Sequence, residues 1–283
     1  MRIGTFATGA GPAFVGEVKG DAVHVHQAPD MVAWLAGVGH DRTGDSHAIA
    51  ELRVLAPVPV PPSVRDFYAF EGHVAAGARL RGKEIAPHWY EAPAFYFSNP
   101  AAILGPGEAL RRPAATQLLD FELEIAAVIG ADAGGEAEIA GFTLMNDWSA
   151  RDVQAGEVTV GLGPAKAKDF GTSLGPWIVT PDELPYDDGR LRIEARVLVN
   201  GVQVTFTGAA DQHFGWPEIV AHAARDTRLR PGDVLGSGTL TGGCLLELGP
   251  VAGGEGAEPR WIEPGDVVAL EADGLGRLET PVT

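Results

Sequence analysis

The segment from Leu119 to Ile129 constrains this chain more than any other part of the sequence, because acidic and apolar residues alternate along its first half. Successive side chains of a β-strand point to opposite faces, so Asp120, Glu122 and Glu124 are predicted to share one face. Neighbouring carboxylates repel each other, and an unpaired buried charge is costly. The acidic face therefore needs either water or a bound cation.

A further carboxylate favours the cation. Asp147 lies two residues after the end of the apolar run from Gly141 to Met145, so it is expected where that strand leaves its sheet. A site built from Glu122, Glu124 and Asp147 offers only hard oxygen ligands, which favours Mg²⁺, Mn²⁺ or Ca²⁺ over zinc or copper. We expect Mg²⁺. The alternative, an edge strand whose acidic face lies in water, stays open from the spacing alone.

The segment Asp66-Phe-Tyr-Ala-Phe-Glu-Gly-His73 brings an acid, a tyrosine and a histidine together. Asp66 is a candidate fourth carboxylate ligand. Histidine titrates near neutral pH, so His73 is the candidate general base that activates water. A lone histidine is usually structural, and this interpretation therefore depends on its acidic neighbours.

The proline-rich stretch Pro57 to Pro62 cannot belong to a helix or a central strand, because proline lacks the amide donor. It predicts a boundary between a small N-terminal β-rich domain, residues 1–62, and a catalytic domain, residues 63–283. In the first domain we expect an antiparallel meander followed by a short helix that Asp30 caps. Most of the second domain is predicted as sheet, with a hairpin turn at Asn200-Gly201.

Composition excludes several classes of partner. A net charge of -17 repels phosphate backbones and anionic headgroups, so we expect no nucleic acid and no membrane partner. The densest basic stretch, Arg79 to Lys83, is either a solvated helix face or a contact for a small anion. A single cysteine, Cys244, and no apolar run near the ~20 residues that span a bilayer predict a cytoplasmic protein.

Five motifs in order resemble the fumarylacetoacetate hydrolase family. They are Asp66-Phe-Tyr with His73, Leu119-Asp-Phe-Glu-Leu-Glu124, Met145-Asn-Asp-Trp-Ser-Ala-Arg-Asp152, Lys168-Asp-Phe-Gly-Thr172 and Ser237-Gly-Thr239. The third is the most distinctive, and the match runs through most of residues 63–250. The resemblance implies a mainly β (α+β) fold, a mixed β-sandwich roll of the family's C-terminal type with a small N-terminal β domain, commonly in a homodimer.

The resemblance also implies roles for individual residues. The implied metal ligands are Asp66, Glu122, Glu124 and Asp147. The implied catalytic residues are His73, Glu247 and Lys168. Glu247 would orient the histidine. The implied substrate contacts are Tyr68, Arg81, Gln154 and Thr239. Arg81 is a displaced candidate, because the family's arginine falls near Gly82 by direct counting. Residues 84–96 are a candidate lid, in which Tyr90 or Tyr96 either contacts ligand or packs in the core.

The parts together predict a divalent-metal-dependent hydrolase that cleaves a carbon–carbon bond in a small anionic 1,3-dicarbonyl or acylpyruvate-type oxo-acid through a metal-stabilised enolate. A decarboxylase, hydratase or dehydratase, or isomerase of 2-oxo acids would use the same intermediate and stays open. An alternative of another class is a non-catalytic protein that binds an oxo-acid or a metal.

Overall fold

The computed structural model describes residues 1–131, 134–161, 163–252 and 258–283, and strands are the most common regular element among them. The strands in chain order are β1 Arg2–Thr8, β2 Ala13–Lys19, β3 Ala22–His26, β4 Arg42–Ala48, β5 Leu52–Val54, β6 Val64–Phe67, β7 Phe95–Ser98, β8 Ile103–Leu104, β9 Leu119–Asp120, β10 Leu123–Ala131, β11 Ala137–Asp147, β12 Ser149–Ala150, β13 Thr172–Val179, β14 Tyr186–Asp187, β15 Arg190–Leu191, β16 Glu194–Val199, β17 Val202–Gly208, β18 Val234–Gly236, β19 Val251–Ala252, β20 Pro259–Arg260, β21 Val267–Ala272 and β22 Gly276–Pro281. The α-helices are α1 Met31–Leu35, α2 Glu71–Leu80, α3 Arg151–Glu157, α4 Trp216–Ala224 and α5 Leu245–Leu248.

Two sheets form the body of the molecule. The larger has the strand order β4-β3-β2-β1-β13-β11-β10-β18-β6-β7, with β5 paired to β1 and β8 paired to β13. It is mixed, because β18 runs parallel to β6 and β13 runs parallel to β8. The smaller sheet is antiparallel, in the order β17-β16-β21-β22.

The main core lies between these sheets, as expected for a sandwich. Ile125 of β10 and Leu144 of β11 belong to the same buried cluster as Val197 of β16 and Leu270 of β21. Ile125 follows Glu124 in β10 and therefore points to the opposite face of that strand, as alternation requires. The mainly β sandwich expected from the sequence is confirmed.

The N-terminal strands β1 to β4 form the predicted antiparallel meander. Asp30 caps α1 as predicted, since its Oδ1 accepts the amide of Ala33 at 2.8 Å. Strand β1 also pairs with β13, with Ile3 opposite Ile178, so hydrogen bonding of the large sheet continues across residue 62. The division into two domains there stays a prediction.

The predicted strand from Phe121 to Ile129 begins later than expected. Asp120 ends the short β9, which pairs with β12, and β10 starts only at Leu123. Between them, the amide of Glu122 donates to the side-chain Oδ1 of Asn146 at 2.9 Å instead of to a backbone carbonyl of a neighbouring strand. This side-chain hydrogen bond interrupts the ladder, so the single strand of the prediction is wrong at its start.

The predicted hairpin turn is confirmed. Asn200 and Gly201 have φ of 51° and 81° and connect β16 to β17.

Ser173 fits the sequence pattern of a serine-hydrolase elbow. It lies within β13 and not before a helix, so that motif lacks its structural context. Among the helices of the described residues, none combines the length and the apolar character needed to cross a bilayer.

Candidate metal centre and active site

Four carboxylates meet at one face of the large sheet. Asp66 lies on β6, Glu124 on β10, Asp147 at the end of β11, and Glu122 just before β10. One oxygen from each lies within 4.8 Å of the others. The strand order β11-β10-β18-β6 brings them together, although residues 66 and 147 are far apart in the chain.

All four carboxylates are buried, and burial together with neighbouring charges shifts their pKa values in different directions. Burial and then the charge of Asp147 raise the pKa of Asp66 well above its ordinary value. Burial and the charges of Asp66 and Asp147 do the same to the pKa of Glu124. Burial also acts on Glu122, but Lys168 and Arg151 outweigh it and lower its pKa. The cluster thus contains more carboxylate than its cationic neighbours compensate.

Lys168 and Tyr96 contact one side of the cluster. Lys168 Nζ donates to Glu122 Oε2 and to Asp147 Oδ2. Burial disfavours the charged ammonium, but Asp147 and Glu122 outweigh it and raise its pKa above the ordinary value. Tyr96 Oη donates to the same Asp147 oxygen at 2.5 Å. Lys168 is therefore charged and anchored to two of the predicted ligands.

The donor set fits a divalent cation. Within the described residues, Asp66 Oδ1, Glu124 Oε1 and Asp147 Oδ1 are buried without a hydrogen-bond partner. Buried oxygens of this kind normally have partners, and carboxylate oxygens suit Mg²⁺, Mn²⁺ or Ca²⁺. Gly236 allows the close approach, because a Cβ there would lie 2.5 Å from Asp66 Oδ1 and 3.0 Å from Glu124 Oε2.

A histidine–glutamate pair faces the cluster. His73 Nδ1 lies 2.6 Å from Glu247 Oε1, and Glu247 Oε2 accepts the amide of Gly242 at 2.9 Å. His73 Nε2 lies 4.0 Å from Glu122 Oε1. A carboxylate at Nδ1 keeps the proton on that nitrogen and leaves the Nε2 lone pair toward the cluster. The pair therefore has the geometry of a general base.

Cys244 lies against this pair, with Sγ 3.8 Å from His73 Nδ1 and 3.5 Å from Glu247 Oε1. These three residues are close enough to hold a metal ion. However, the histidine and the carboxylate already use the relevant atoms on each other, and burial raises the pKa of the Cys244 thiol well above its ordinary value. A neutral thiol is a poor metal ligand, so the oxygen cluster is the better centre.

A cavity of about 620 Å³ opens onto the cluster. The predicted site residues on its wall are Asp66, Tyr68, His73, Arg81, Glu122, Glu124, Gln154, Lys168 and Thr239. Asp147 and Glu247 lie behind this wall and contact Lys168 and His73. The implied metal ligands, catalytic residues and substrate contacts therefore converge on one place, while their individual roles remain predictions.

The cavity wall combines the carboxylates with apolar side chains, which are Leu80, Ala94, Ala155, Val158, Pro164 and Leu246. Arg81 is exposed and lies near Tyr68, since Arg81 Nη1 and Tyr68 Oη both flank the position of a Cβ on Gly77. The cavity therefore suits a small molecule that has both polar and apolar parts.

The candidate lid at residues 84–96 is tied to the cavity wall. Trp89 Nε1 donates to the Tyr68 carbonyl at 2.7 Å, and Tyr90 Oη donates to Glu71 Oε1 at 2.7 Å. Tyr96 belongs to β7, opposite Asp66 on β6. Of the two tyrosines considered, Tyr96 lines the cavity and Tyr90 does not.

Sequence reasoning missed Arg151 and the use made of Asp120. Arg151 Nη2 lies 2.7 Å from Asp120 Oδ2 and 2.6 Å from Glu122 Oε1. Asp120 also accepts the amides of Leu245 and Leu246, so it is occupied away from the four-carboxylate cluster. The available signal was the arginine in the same motif as Asp147, since a buried acidic strand needs a cation.

Comparisons with known proteins agree with this geometry. The family described as "Fumarylacetoacetate (FAA) hydrolase C-terminal" matches residues 63–283. The chain is 32% identical over 260 residues to the fumarylacetoacetase of Arabidopsis thaliana, which covers 71% of this chain and 61% of that protein. A similar match to the Bos taurus fumarylacetoacetase covers 64% of that protein, so the chain spans less than two thirds of the length of these relatives.

Two solved structures cover the whole chain. A 5-carboxymethyl-2-hydroxymuconate delta-isomerase from Mycobacterium smegmatis has a TM-score of 0.73 and 28% identity, covering 100% of this chain and 99% of that one. A 2-keto-3-deoxy-D-arabinonate dehydratase, complexed with magnesium and 2,5-dioxopentanoate, has a TM-score of 0.71 and 24% identity, with the same coverage, and indicates the shared fold alone. Over its residues 63–283, and with the site geometry described above, the chain belongs to the fumarylacetoacetate hydrolase family.

Proposed function

We propose that this protein is a divalent-metal-dependent hydrolase that cleaves a carbon–carbon bond in a small anionic oxo-acid of the acylpyruvate type. One observation carries the proposal: the His73–Glu247 pair, joined at 2.6 Å, faces the carboxylate cluster across one cavity. Hydrolysis needs a base that removes a proton from water, and this pair has the required orientation.

The cation would be held by Asp66, Glu122, Glu124 and Asp147, and Mg²⁺ is the expected ion. When bound, a divalent cation supplies Lewis-acid stabilisation of negative charge that develops on substrate oxygens. Support comes from the unpartnered carboxylate oxygens of Asp66, Glu124 and Asp147.

In this proposal, His73 Nε2 takes a proton from water, and Glu247 stabilises the imidazolium that forms. The water oxygen bonds to the acyl carbonyl carbon, the carbon–carbon bond breaks, and its electron pair stays on the pyruvate-like fragment. That fragment then takes a proton from the His73 imidazolium. One water is consumed, and two acids are released.

The remaining cavity residues would bind the substrate. Lys168 is charged and already uses two of its three donors on Glu122 and Asp147, so it adds positive potential where negative charge develops. Gln154 and Thr239 supply polar groups on the cavity wall. Tyr68 and the exposed Arg81 would meet the distal part of an anionic substrate.

An isomerase, dehydratase or decarboxylase of 2-oxo acids is the second candidate. The observation that favours it is how much of each relative this chain covers. The chain covers 99% of the isomerase from Mycobacterium smegmatis but 61% of the fumarylacetoacetase of Arabidopsis thaliana. These reactions would share the carboxylate cluster and would not need water to attack a carbonyl.

Isotope labelling separates these candidates. The purified protein with Mg²⁺ is incubated in H₂¹⁸O with acylpyruvates, oxaloacetate and an unsaturated oxo-diacid in separate reactions. The masses of the products are measured by mass spectrometry. The proposal predicts two acids, with one ¹⁸O in the acyl-derived carboxylate. A product of unchanged mass, or loss of water or carbon dioxide without that label, would reject hydrolysis for the second candidate.

A non-catalytic binding protein is tested with His73→Ala. If the protein is an enzyme, this variant loses turnover by about 10²-fold or more while it still binds Mg²⁺ and oxalate, since general base catalysis contributes on that order. Absence of turnover in the unmodified protein across the panel, with binding intact, would favour the binding protein. The proposed homodimer is tested separately by analytical ultracentrifugation.

A further inference from the structure

Arg151 occupies a junction that no role in the proposed reaction uses. It is the first residue of α3, and only 6% of its surface is exposed. Its guanidinium donates to Asp120 through Nε at 2.7 Å, to Glu122 through Nη2 at 2.6 Å, and to Gln154 Oε1 through Nη1 at 3.0 Å. One side chain therefore contacts a predicted metal ligand and a predicted substrate contact together.

The contact with Gln154 decides which way its amide faces. A guanidinium has donors and no acceptor, so the side of the amide that meets Arg151 must be its carbonyl oxygen. The NH₂ group of Gln154 is then on the far side of the amide, and Gln154 lies on the cavity wall. Arg151 thus makes Gln154 a hydrogen-bond donor toward the cavity.

The contact with Glu122 works with Lys168. Arg151 binds Oε1 of this carboxylate, and Lys168 binds Oε2. Two cations hold the group from both sides, so its orientation is set before any ligand arrives. Arg151 gives Glu122 a single donor, but Asp120 and Gln154 hold the rest of its planar guanidinium, so that donor is fixed in a way that a single ammonium does not provide.

The contact with Asp120 connects Arg151 to the His73–Glu247 pair. Asp120 is fully buried, and it accepts the amides of Leu245 at 2.7 Å and Leu246 at 3.0 Å. These amides begin α5, the helix that carries Glu247. The same carboxylate therefore anchors both Arg151 and the segment that orients His73.

We propose that Arg151, held by Asp120, is a positioning residue that sets the Glu122 carboxylate for cation binding and turns the Gln154 amide donor toward an oxygen of the bound oxo-acid. The part that concerns the substrate rests on the proposed function; the part that concerns the cation does not. Arg151 itself also lies on the cavity wall, and the role proposed for it is exerted through Glu122 and Gln154.

The test uses Mn²⁺ and oxalate as probes, so it does not depend on turnover. Dissociation constants are measured by calorimetry for Mn²⁺ and then for oxalate on the Mn²⁺-loaded protein. Arg151→Lys keeps the charge and loses the planar guanidinium, so the affinities for Mn²⁺ and for oxalate should both fall. The affinity for Mn²⁺ should fall by about 10–100-fold, which is the usual effect of removing a hydrogen-bond partner of a metal ligand. Gln154→Glu keeps an acceptor for Arg151 and removes the amide donor, so it should weaken oxalate about tenfold and leave Mn²⁺ affinity undiminished.

The matched control is Arg196→Lys, an exposed arginine paired with Glu271 at 2.6 Å on the smaller sheet, which should change neither affinity. Unchanged Mn²⁺ and oxalate binding in Arg151→Lys would overturn the proposal. If that variant fails to fold by circular dichroism, Gln154→Glu decides, since unchanged oxalate binding there would also overturn it. Failure of the proposed function looks different: the unmodified protein binds both probes and turns over no oxo-acid.

Discussion

The two charged clusters of this protein are built in opposite ways. On the smaller sheet, Glu271 is flanked by Arg196 at 2.6 Å and by Arg277 at 2.5 Å, and Arg277 also pairs with Glu279. All of these groups are partly exposed. Burial opposes ionisation of Glu271, but its arginine partners together outweigh that effect and lower its pKa. Each acid there has a cation beside it.

The buried cluster at the cavity is not balanced in this way. Lys168 and Arg151 contact Glu122, and Lys168 also contacts Asp147, whereas Asp66 and Glu124 have raised pKa values because burial is not offset. Surface pairs can be imperfect because water compensates them, but a buried excess of carboxylate needs protons or a cation. The comparison teaches that an imbalance of charge, and not the number of ion pairs, distinguishes the candidate metal centre from the exposed cluster.

The largest expected effect comes from removing the cation that the buried cluster does have. Lys168→Met should destabilise the metal-free protein by about 3–5 kcal/mol, because Glu122 and Asp147 are left as buried charges without that partner. Urea denaturation in the presence of a chelator measures it. A loss below about 1 kcal/mol would mean that the buried cluster behaves like the exposed one.

Removing an acid from the same cluster should act in the opposite direction on the metal-free protein. Glu124→Gln should weaken Mg²⁺ binding by at least about 100-fold, since loss even of an outer partner reaches that range. Without metal, it should leave the melting temperature equal or higher, because the repulsion between Glu124 and Asp66 is reduced. Calorimetric titration and thermal melts check both, and a clearly lower metal-free melting temperature would contradict the imbalance.

The stability of the metal-free protein should depend on pH through the carboxylates of the buried cluster. Asp66 and Glu124 have raised folded pKa values, so their contribution to stability is full below their unfolded values of about 4 and is lost as pH rises through the folded values. Glu122 has a lowered folded pKa, so its contribution is present above its unfolded value and is lost only in acid. From about pH 5 upward, the metal-free protein should therefore lose stability.

Added Mg²⁺ should reverse that trend, because the cation replaces protons on Asp66 and Glu124 and its binding strengthens as pH rises. The measurement is the rise in melting temperature on adding Mg²⁺ at about pH 5.5 and at about pH 8. We expect the larger rise at the higher pH, and an equal rise at both would contradict the assigned pKa directions.

The smallest effect is expected at the exposed cluster. Arg277→Met removes a partner of Glu271 and Glu279, and exposed pairs of this kind contribute about 0–1 kcal/mol. The free energy of unfolding should change by no more than that, and Mg²⁺ affinity should not change. A loss as large as that of Lys168→Met would remove the distinction between the two clusters.

Several features of the site could be predicted from local sequence because they depend on local geometry. Alternation placed Glu122 and Glu124 on one face, and the apolar run before Asp147 placed that acid at a strand end. The break before Leu123 could not be predicted, because it depends on Asn146, a side chain from the neighbouring strand that replaces a ladder hydrogen bond. Asp120 was grouped with the other acids for the same reason.

The sequence by itself determined the chemistry that is available: oxygen ligands, a histidine, a lysine and the turns between strands, since residue type and short spacing decide these. Only the tertiary structure decided which acids meet and which are compensated. Strand order places Asp66 on β6 near Asp147 on β11, and the fold sends Asp120 to Arg151 and to α5. Periodicity defines the faces of a strand, but the neighbours of each face follow from how the two sheets bury their apolar sides against each other.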